Sequence, residues 1–183
     1  MPKSQQARQS SRASAWSRAA CVLAAAVLAM LTAVPSRSST AQLIGEPAPD
    51  FALRALNGRN VRLSEHLGEV VLVNFWATWC GSCRRQMPLL DETYSRYLRA
   101  GLVLLSVNLD EDPTSAEEMA RTLRVSYPVL FDSRKEVSRS YDVATMPVTV
   151  LIDRSGVVRY VSEGYRPGDE QVYTGLLRSL LNE

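Results

Sequence analysis

Histidine is almost missing from this 183-residue chain, where His66 stands alone, and cysteine is scarce, with Cys21, Cys80 and Cys83 the full set. A structural zinc centre takes about four nitrogen or sulfur ligands. Cys80 and Cys83 supply half of such a set and only His66 and Cys21 are left to complete it, which disfavours a metal centre. A purely structural disulfide between Cys80 and Cys83 is disfavoured as well, because so short a loop constrains the unfolded chain little. Acidic residues are absent before Gln42, while Lys3, Arg8, Arg12, Arg18 and Arg37 all lie there. Taking those five from the 21 basic residues leaves 16 against 19 acidic ones, a net −3 from Gln42 onward, so no nucleic-acid partner is expected. No internal repeat or low-complexity run appears beyond the first forty residues.

The basic, acid-free start is followed by an apolar run at residues 19–34. That is the layout of an export leader. The run is about 16 residues, shorter than the ~20 of a membrane-spanning helix and slightly longer than the usual signal core. Residues 1–41 are therefore expected to be a signal peptide or an N-terminal membrane anchor, and 42–183 the folded domain. Ser39-Thr40-Ala41 offers small residues for a cut before Gln42. Cys21 precedes the apolar run, so it does not read as a lipidation site, and none of the leader arginines are adjacent, so a twin-arginine route is unsupported.

In the domain, residues 51–63 alternate around Asn57-Gly58, the pattern of a β-hairpin. Residues 70–75 are a nearly continuous apolar run rich in β-branched residues, as in a strand covered on both faces. From Cys83 to about Arg99, Met87, Leu90, Tyr94 and Tyr97 recur at helical spacing, with Pro88 expected to kink the helix. A second buried strand at 102–108 precedes Thr114-Ser115-Ala116-Glu117, which reads as a capping-box start for a helix reaching about Arg124. A brief strand at 129–131, a helix near 134–141, a hairpin at 148–152 and 157–162 and a last helix at 168–181 complete the pattern. Strands alternating with helices predict an α/β fold: a central mixed sheet flanked by helices, entered through an N-terminal β-hairpin.

Trp79-Cys80-Gly81-Ser82-Cys83 lies between the first buried strand and its helix, the setting of a redox-active dithiol. Three residues of helix place the two Cα atoms roughly 5–6 Å apart, within disulfide range. Cys80, at the helix start, meets free backbone N–H groups and the positive dipole end, which stabilise a thiolate, so Cys80 is expected to be the nucleophile. Cys83, one turn inside, is expected to resolve the mixed disulfide. Trp79 beside the nucleophile is expected to rim a substrate groove, Trp76 to lie in the core, and Arg84 and Arg85 on a solvated face.

Phe75-Trp76-Ala77-Thr78-Trp79-Cys80-Gly81-Ser82-Cys83, with Met146-Pro147-Val148-Thr149-Val150-Leu151-Ile152-Asp153 downstream and the entry at residues 45–53, resembles the TlpA/ResA-type thioredoxins. The likeness spans about Gln42 to Glu183. It implies a thioredoxin-like fold with an inserted strand-and-helix element around residues 112–127. It also implies a cis peptide at Met146-Pro147 facing the disulfide, with Met146 pairing to bound substrate, and Glu111 as the acid/base. A solvated acidic loop at Asp110-Glu111-Asp112 is the competing reading of that residue. Two departures stand out: Asn74 where thioredoxin has a buried Asp, and Ser82 where it has Pro.

The resemblance implies an extracytoplasmic protein-disulfide reductase with no cofactor beyond its own redox disulfide, near thioredoxin's potential of roughly −270 mV. It would be fed by a membrane thiol carrier and would act on targets such as apocytochrome c in cytochrome c biogenesis. Two alternatives are open. Ala48-Pro49-Asp50-Phe51 also resembles the entry of the peroxiredoxins, though Thr78 lies two residues before Cys80 where a thiol peroxidase needs three. A copper chaperone would use both thiolates as soft ligands, with His66 poorly placed to assist.

Overall fold

The computed structural model describes residues 39–183, so the expected leader, apart from its last three residues Ser39-Thr40-Ala41, lies outside the described residues. Seven strands form one sheet: β1 (Ala52–Ala55), β2 (Asn60–Arg62), β3 (Val70–Trp76), β4 (Leu102–Asn108), β5 (Val129–Phe131), β6 (Val148–Ile152) and β7 (Val158–Glu163). Their order is β2-β1-β5-β4-β3-β6-β7. β3, β4 and β5 run parallel, and the remaining pairings are antiparallel, which makes the sheet mixed as expected. Four α-helices accompany it: α1 (Gly81–Tyr97), α2 (Pro113–Thr122), α3 (Glu136–Ser140) and α4 (Asp169–Leu181).

β3 is buried along its whole length, and its alternation builds two cores. Val70, Leu72 and Trp76 pack with Cys83, Met87 and Leu90 of α1, Ala116 and Ala120 of α2, and Tyr173 and Leu177 of α4. Val71, Val73 and Phe75 face the other way, onto Phe51, Val137 and Tyr141. Three helices thus cover one face of the sheet, and α3 with the entry segment covers the other. The entry hairpin turns at Gly58 with φ of 81°, a left-handed conformation that glycine adopts without strain. β1 then joins the main sheet by pairing with β5.

One expectation of detail is corrected. Helix α2 is capped by Asp112, whose carboxylate accepts from the Thr114 N–H at 3.0 Å, and Pro113 fills the first helical position. Asp caps as well as Ser or Thr, and Pro is pre-set for that first position, so the start moves ahead of the Thr114 capping box. Backbone and hydroxyl hydrogen bonds from Thr114 hold the Asp112 carboxyl below its ordinary value. The segment at 112–127 therefore holds a helix and coil, and strand β5 follows it. Pro88, on the exposed side of α1, removes one rung of the hydrogen-bond ladder without ending the helix, which runs on to Tyr97.

Candidate active site

The parallel strand β3 ends at Trp76, and three residues of loop deliver Cys80 to the N-cap of α1. Cys80 and Cys83 are joined in a disulfide with Cα atoms 5.3 Å apart, inside the range that helical spacing predicts. The Cys83 N–H points at Cys80 Sγ across 3.1 Å, so the cap that a Ser or Asp oxygen would normally provide is taken by sulfur. Ser82 Oγ lies 3.4 Å from the same sulfur. Cys80 is 6% exposed and Cys83 1%, which makes Cys80 the sulfur an incoming group meets first. Unpaired N–H groups and the helix dipole favour negative charge at that position.

Trp79 projects outward, 72% exposed, whereas Trp76 is fully buried. Beside Trp79 lies a groove of about 470 Å³ with Thr78, Trp79 and Arg84 on one wall and Ser115, Met119 and Leu123 of the α2 segment among those on the other. Pro147 is buried, and the Met146-Pro147 peptide is cis. Met146 packs against the core that contains both cysteines. Glu111 is placed differently: its side chain is 84% exposed and its carboxylate takes a hydrogen bond from Lys135 Nζ at 3.3 Å, so none of its bonds reaches either cysteine. His66 pairs with Glu69 at 2.8 Å. Among the described residues, no group of three or more His, Cys, Asp or Glu side chains is placed to hold a metal ion.

Two features escape a reading of the sequence. The first is a buried neutral cluster at Asn74, where thioredoxin has an acid. Asn74 Nδ2 lies 3.0 Å from Gln86 Oε1 and 3.2 Å from Thr149 Oγ1, and Gln86 Nε2 donates to the same hydroxyl at 3.0 Å. The cluster ties β3, α1 and β6 together, that is, the strand before the cysteines, the helix after them and the strand after Pro147. Asn74 Oδ1 is buried without a partner. The available signal was Gln86 itself, a polar residue three positions after Cys83 on the buried helix face that also carries Met87, Leu90 and Thr93. The second feature is Asp110. It is the neighbour of Glu111, yet its carboxylate turns inward and accepts from the Thr78 N–H at 2.9 Å and the Thr78 hydroxyl at 3.1 Å.

Comparison with known proteins gives this geometry a family. The model of the AhpC/TSA family matches residues 44–161. The thiol-disulfide oxidoreductase ResA of Geobacillus kaustophilus is 39% identical over 125 residues, 68% of this chain and 72% of that protein. The ResA of Bacillus subtilis is 33% identical over 120 residues, 66% of this chain and 67% of its own. Among solved structures, one described as a thiol:disulfide interchange protein DsbE from Chlorobium tepidum superimposes with a TM-score of 0.73 at 36% identity, covering 75% of this chain and 97% of that one. The chain belongs to the AhpC/TSA family and, within it, is a thioredoxin-like thiol–disulfide oxidoreductase of the ResA type.

Proposed function

We propose that this chain is an extracytoplasmic protein-disulfide reductase in which Cys80 attacks and Cys83 resolves. The observation that carries the assignment is the asymmetry of the pair. Cys80 sits at the helix N-cap, the more exposed of the two sulfurs, with the Cys83 N–H aimed at it, and Cys83 is closed off one turn below. In the reduced protein the Cys80 thiolate displaces one sulfur of a target disulfide, which departs as a thiolate and takes a proton. The Cys83 thiolate then attacks Cys80 Sγ, and the target's remaining sulfur leaves as a second thiolate. Two electrons pass from the dithiol to the target, and the Cys80–Cys83 disulfide is left.

The groove is lined by Thr78 and Trp79, the two residues before the nucleophile, and suits an extended polypeptide flanking the target disulfide, with Met119 and Leu123 for apolar side chains and Arg84 and Glu118 for polar ones. Met146, which packs against the core that holds both cysteines, is the residue whose backbone the family resemblance implies would pair with bound substrate. Glu111, engaged by Lys135, is left out of the exchange step.

The basic, acid-free leader supports a site outside the cytoplasm, either released by a signal peptidase or held by an anchor at residues 19–34. No helix among the described residues is long and apolar enough to cross a membrane. In an oxidising compartment a reductase needs a supply of electrons, which a membrane thiol carrier would give. It also needs a purpose, and the paired cysteines of an apocytochrome c, which must be reduced before haem attaches, provide one.

The test is a pair of variants. Cys80→Ser should lose all reductase turnover with a disulfide-bonded protein, and Cys83→Ser should accumulate a mixed disulfide with it, visible as a reducible mass adduct. Full multiple-turnover activity in Cys83→Ser would eliminate the two-cysteine mechanism.

A further inference from the structure

Asp110 lies at the junction of the two walls of the groove. On one side its carboxylate binds Thr78 twice, through the backbone N–H and the hydroxyl, two residues before Cys80 and one before Trp79. On the other it belongs to the short loop between β4 and α2, where Asn108 fixes it: Asn108 Nδ2 donates to Asp110 Oδ2 at 2.7 Å, and the Asp110 N–H donates to Asn108 Oδ1 at 3.0 Å. Asn108 is fully buried at the end of β4 and does not yield easily. The Leu109 N–H, bonded to Trp76 O at 2.9 Å, prolongs the β3–β4 ladder to the same point. Two loops that could each have been solvated are thus pinned to one another through a charged acceptor, the stronger class of hydrogen bond.

Three residues beyond Asp110, α2 begins, and its Ser115, Glu118 and Met119 face Thr78, Trp79 and Arg84 across the groove. Because Thr78 is itself a lining residue, the clamp sets the separation of the walls. We propose that Asp110 is a positioning residue: acting through Thr78, it fixes the redox loop against α2 and so fits the groove to the polypeptide that flanks a target disulfide. This rests on the reading of the chain as a protein-disulfide reductase. A small disulfide needs only Cys80 Sγ and does not span the walls, so the clamp separates the two kinds of substrate.

The experiment uses the full-length chain, pre-reduced, and follows its oxidation by two probes: a peptide carrying a Cys-x-x-Cys-His disulfide, and a small aromatic disulfide. Asp110→Ala should raise the half-saturating peptide concentration about tenfold, the scale expected for losing hydrogen bonds to a charged group, with the limiting rate within about twofold. Its rate with the aromatic disulfide should stay within about twofold of wild type. Thr78→Val, which removes the hydroxyl bond and keeps the backbone one, should raise the half-saturating peptide concentration by less, and the double variant should be no worse than Asp110→Ala, in which the hydroxyl bond is already lost. Asp110→Asn should fall between wild type and Asp110→Ala: its amide oxygen still accepts the Thr78 N–H and its amide nitrogen donates to the Thr78 hydroxyl, but both bonds lose their charge.

A parallel readout is independent of substrate. In a Trp16→Phe background, the exposed Trp79 should gain a nanosecond depolarising motion in Asp110→Ala and in Thr78→Val, while the buried Trp76 contributes an unchanged signal. Additive losses in the double variant, equal slowing with both probes, or unaltered Trp79 motion would each overturn the proposal. If wild type reduces the aromatic disulfide and ignores the peptide, the reductase reading fails instead, and the Trp79 measurement still decides the clamp.

Discussion

Replacing Asn74 by Asp would put a carboxyl of nearly the same shape into a buried site whose hydrogen-bonding protein neighbours are neutral. Asn74 is fully buried, Gln86 is 2% exposed and Thr149 1%. The groups within reach of the Asn74 amide are Gln86 Oε1, Thr149 Oγ1 and the Val148 carbonyl, all neutral. A protonated carboxyl donates one hydrogen bond into this set, whereas an ionised one donates none. Burial of this kind raises a carboxyl pKa by roughly 3–5 units above its ordinary ~3.9. Between those two values the folded protein binds a proton that the unfolded chain releases, so stability falls as pH rises, by about 1.4 kcal/mol per pH unit. From pH 5 to pH 7, Asn74→Asp should therefore lose about 2–2.7 kcal/mol relative to wild type. Urea unfolding of both proteins at pH 5, 6 and 7 measures this directly. A difference that stays flat across the three pH values would show that the carboxylate is hydrated or paired, and the picture of a dry amide cluster behind Cys83 would be refuted.

Two further substitutions test the frame that holds the site. Asp153 organises the β6–β7 turn by accepting from the Ser155 N–H and hydroxyl, the Val157 N–H and Arg159. Burial pushes its carboxyl up, but these hydrogen bonds together outweigh burial and hold it below the ordinary range. Asp153→Asn should cost about 1–3 kcal/mol at neutral pH. A depressed folded pKa contributes stability above the ordinary aspartate value and loses it as pH falls through the folded one, so thermal melts should show the gap from wild type closing in acid. Tyr141 packs edge-on to Phe51 and tilted against Phe75, and its hydroxyl donates to the Pro49 carbonyl at 2.9 Å. Burial pushes the phenol pKa up and keeps it a donor. Tyr141→Phe should cost about 1 kcal/mol in denaturant unfolding, with the ring contacts retained. A loss of several kcal/mol would mean that the entry segment depends on this one bond.

What the sequence reveals about this molecule follows the range of the forces involved. Strand β3 is legible because a run of β-branched and aromatic residues has one economical environment, covered on both faces, and the dithiol is legible because its spacing and helix-start position are local. The hairpins at Gly58 and at Asp153–Gly156 announce themselves through turn chemistry. The start of α2 is ambiguous because Asp112 and Thr114 both carry cap chemistry, and Pro113 decides between them. Asp110, Glu111 and Asp112 form one polar triplet in which three carboxylates have three destinations: the redox loop, Lys135 and the helix cap. Which faces inward depends on where β4 ends relative to Thr78, a register between segments 32 residues apart that no local pattern encodes. The Asn74–Gln86–Thr149 cluster is hidden for the same reason, since nothing local in any of the three segments says that these side chains meet.

The expected processing point has a consequence of another kind. Ser39 caps the short 3-10 turn Thr40–Leu43, Thr40 is fully buried with its hydroxyl on the Asp142 carbonyl, and Ser39 reaches Glu163. The Gln42 N–H is bonded back to Ser39 O, so the Ala41–Gln42 bond is coiled into the domain rather than stretched out beside it. A peptidase must hold its substrate extended, and the folded domain does not present this bond in that form. If the chain is exported and cut there, as proposed, cleavage would have to outrun folding, and a domain that folded first would keep its leader. A single race on the far side of the membrane would then sort one translation product into a released form and a tethered one.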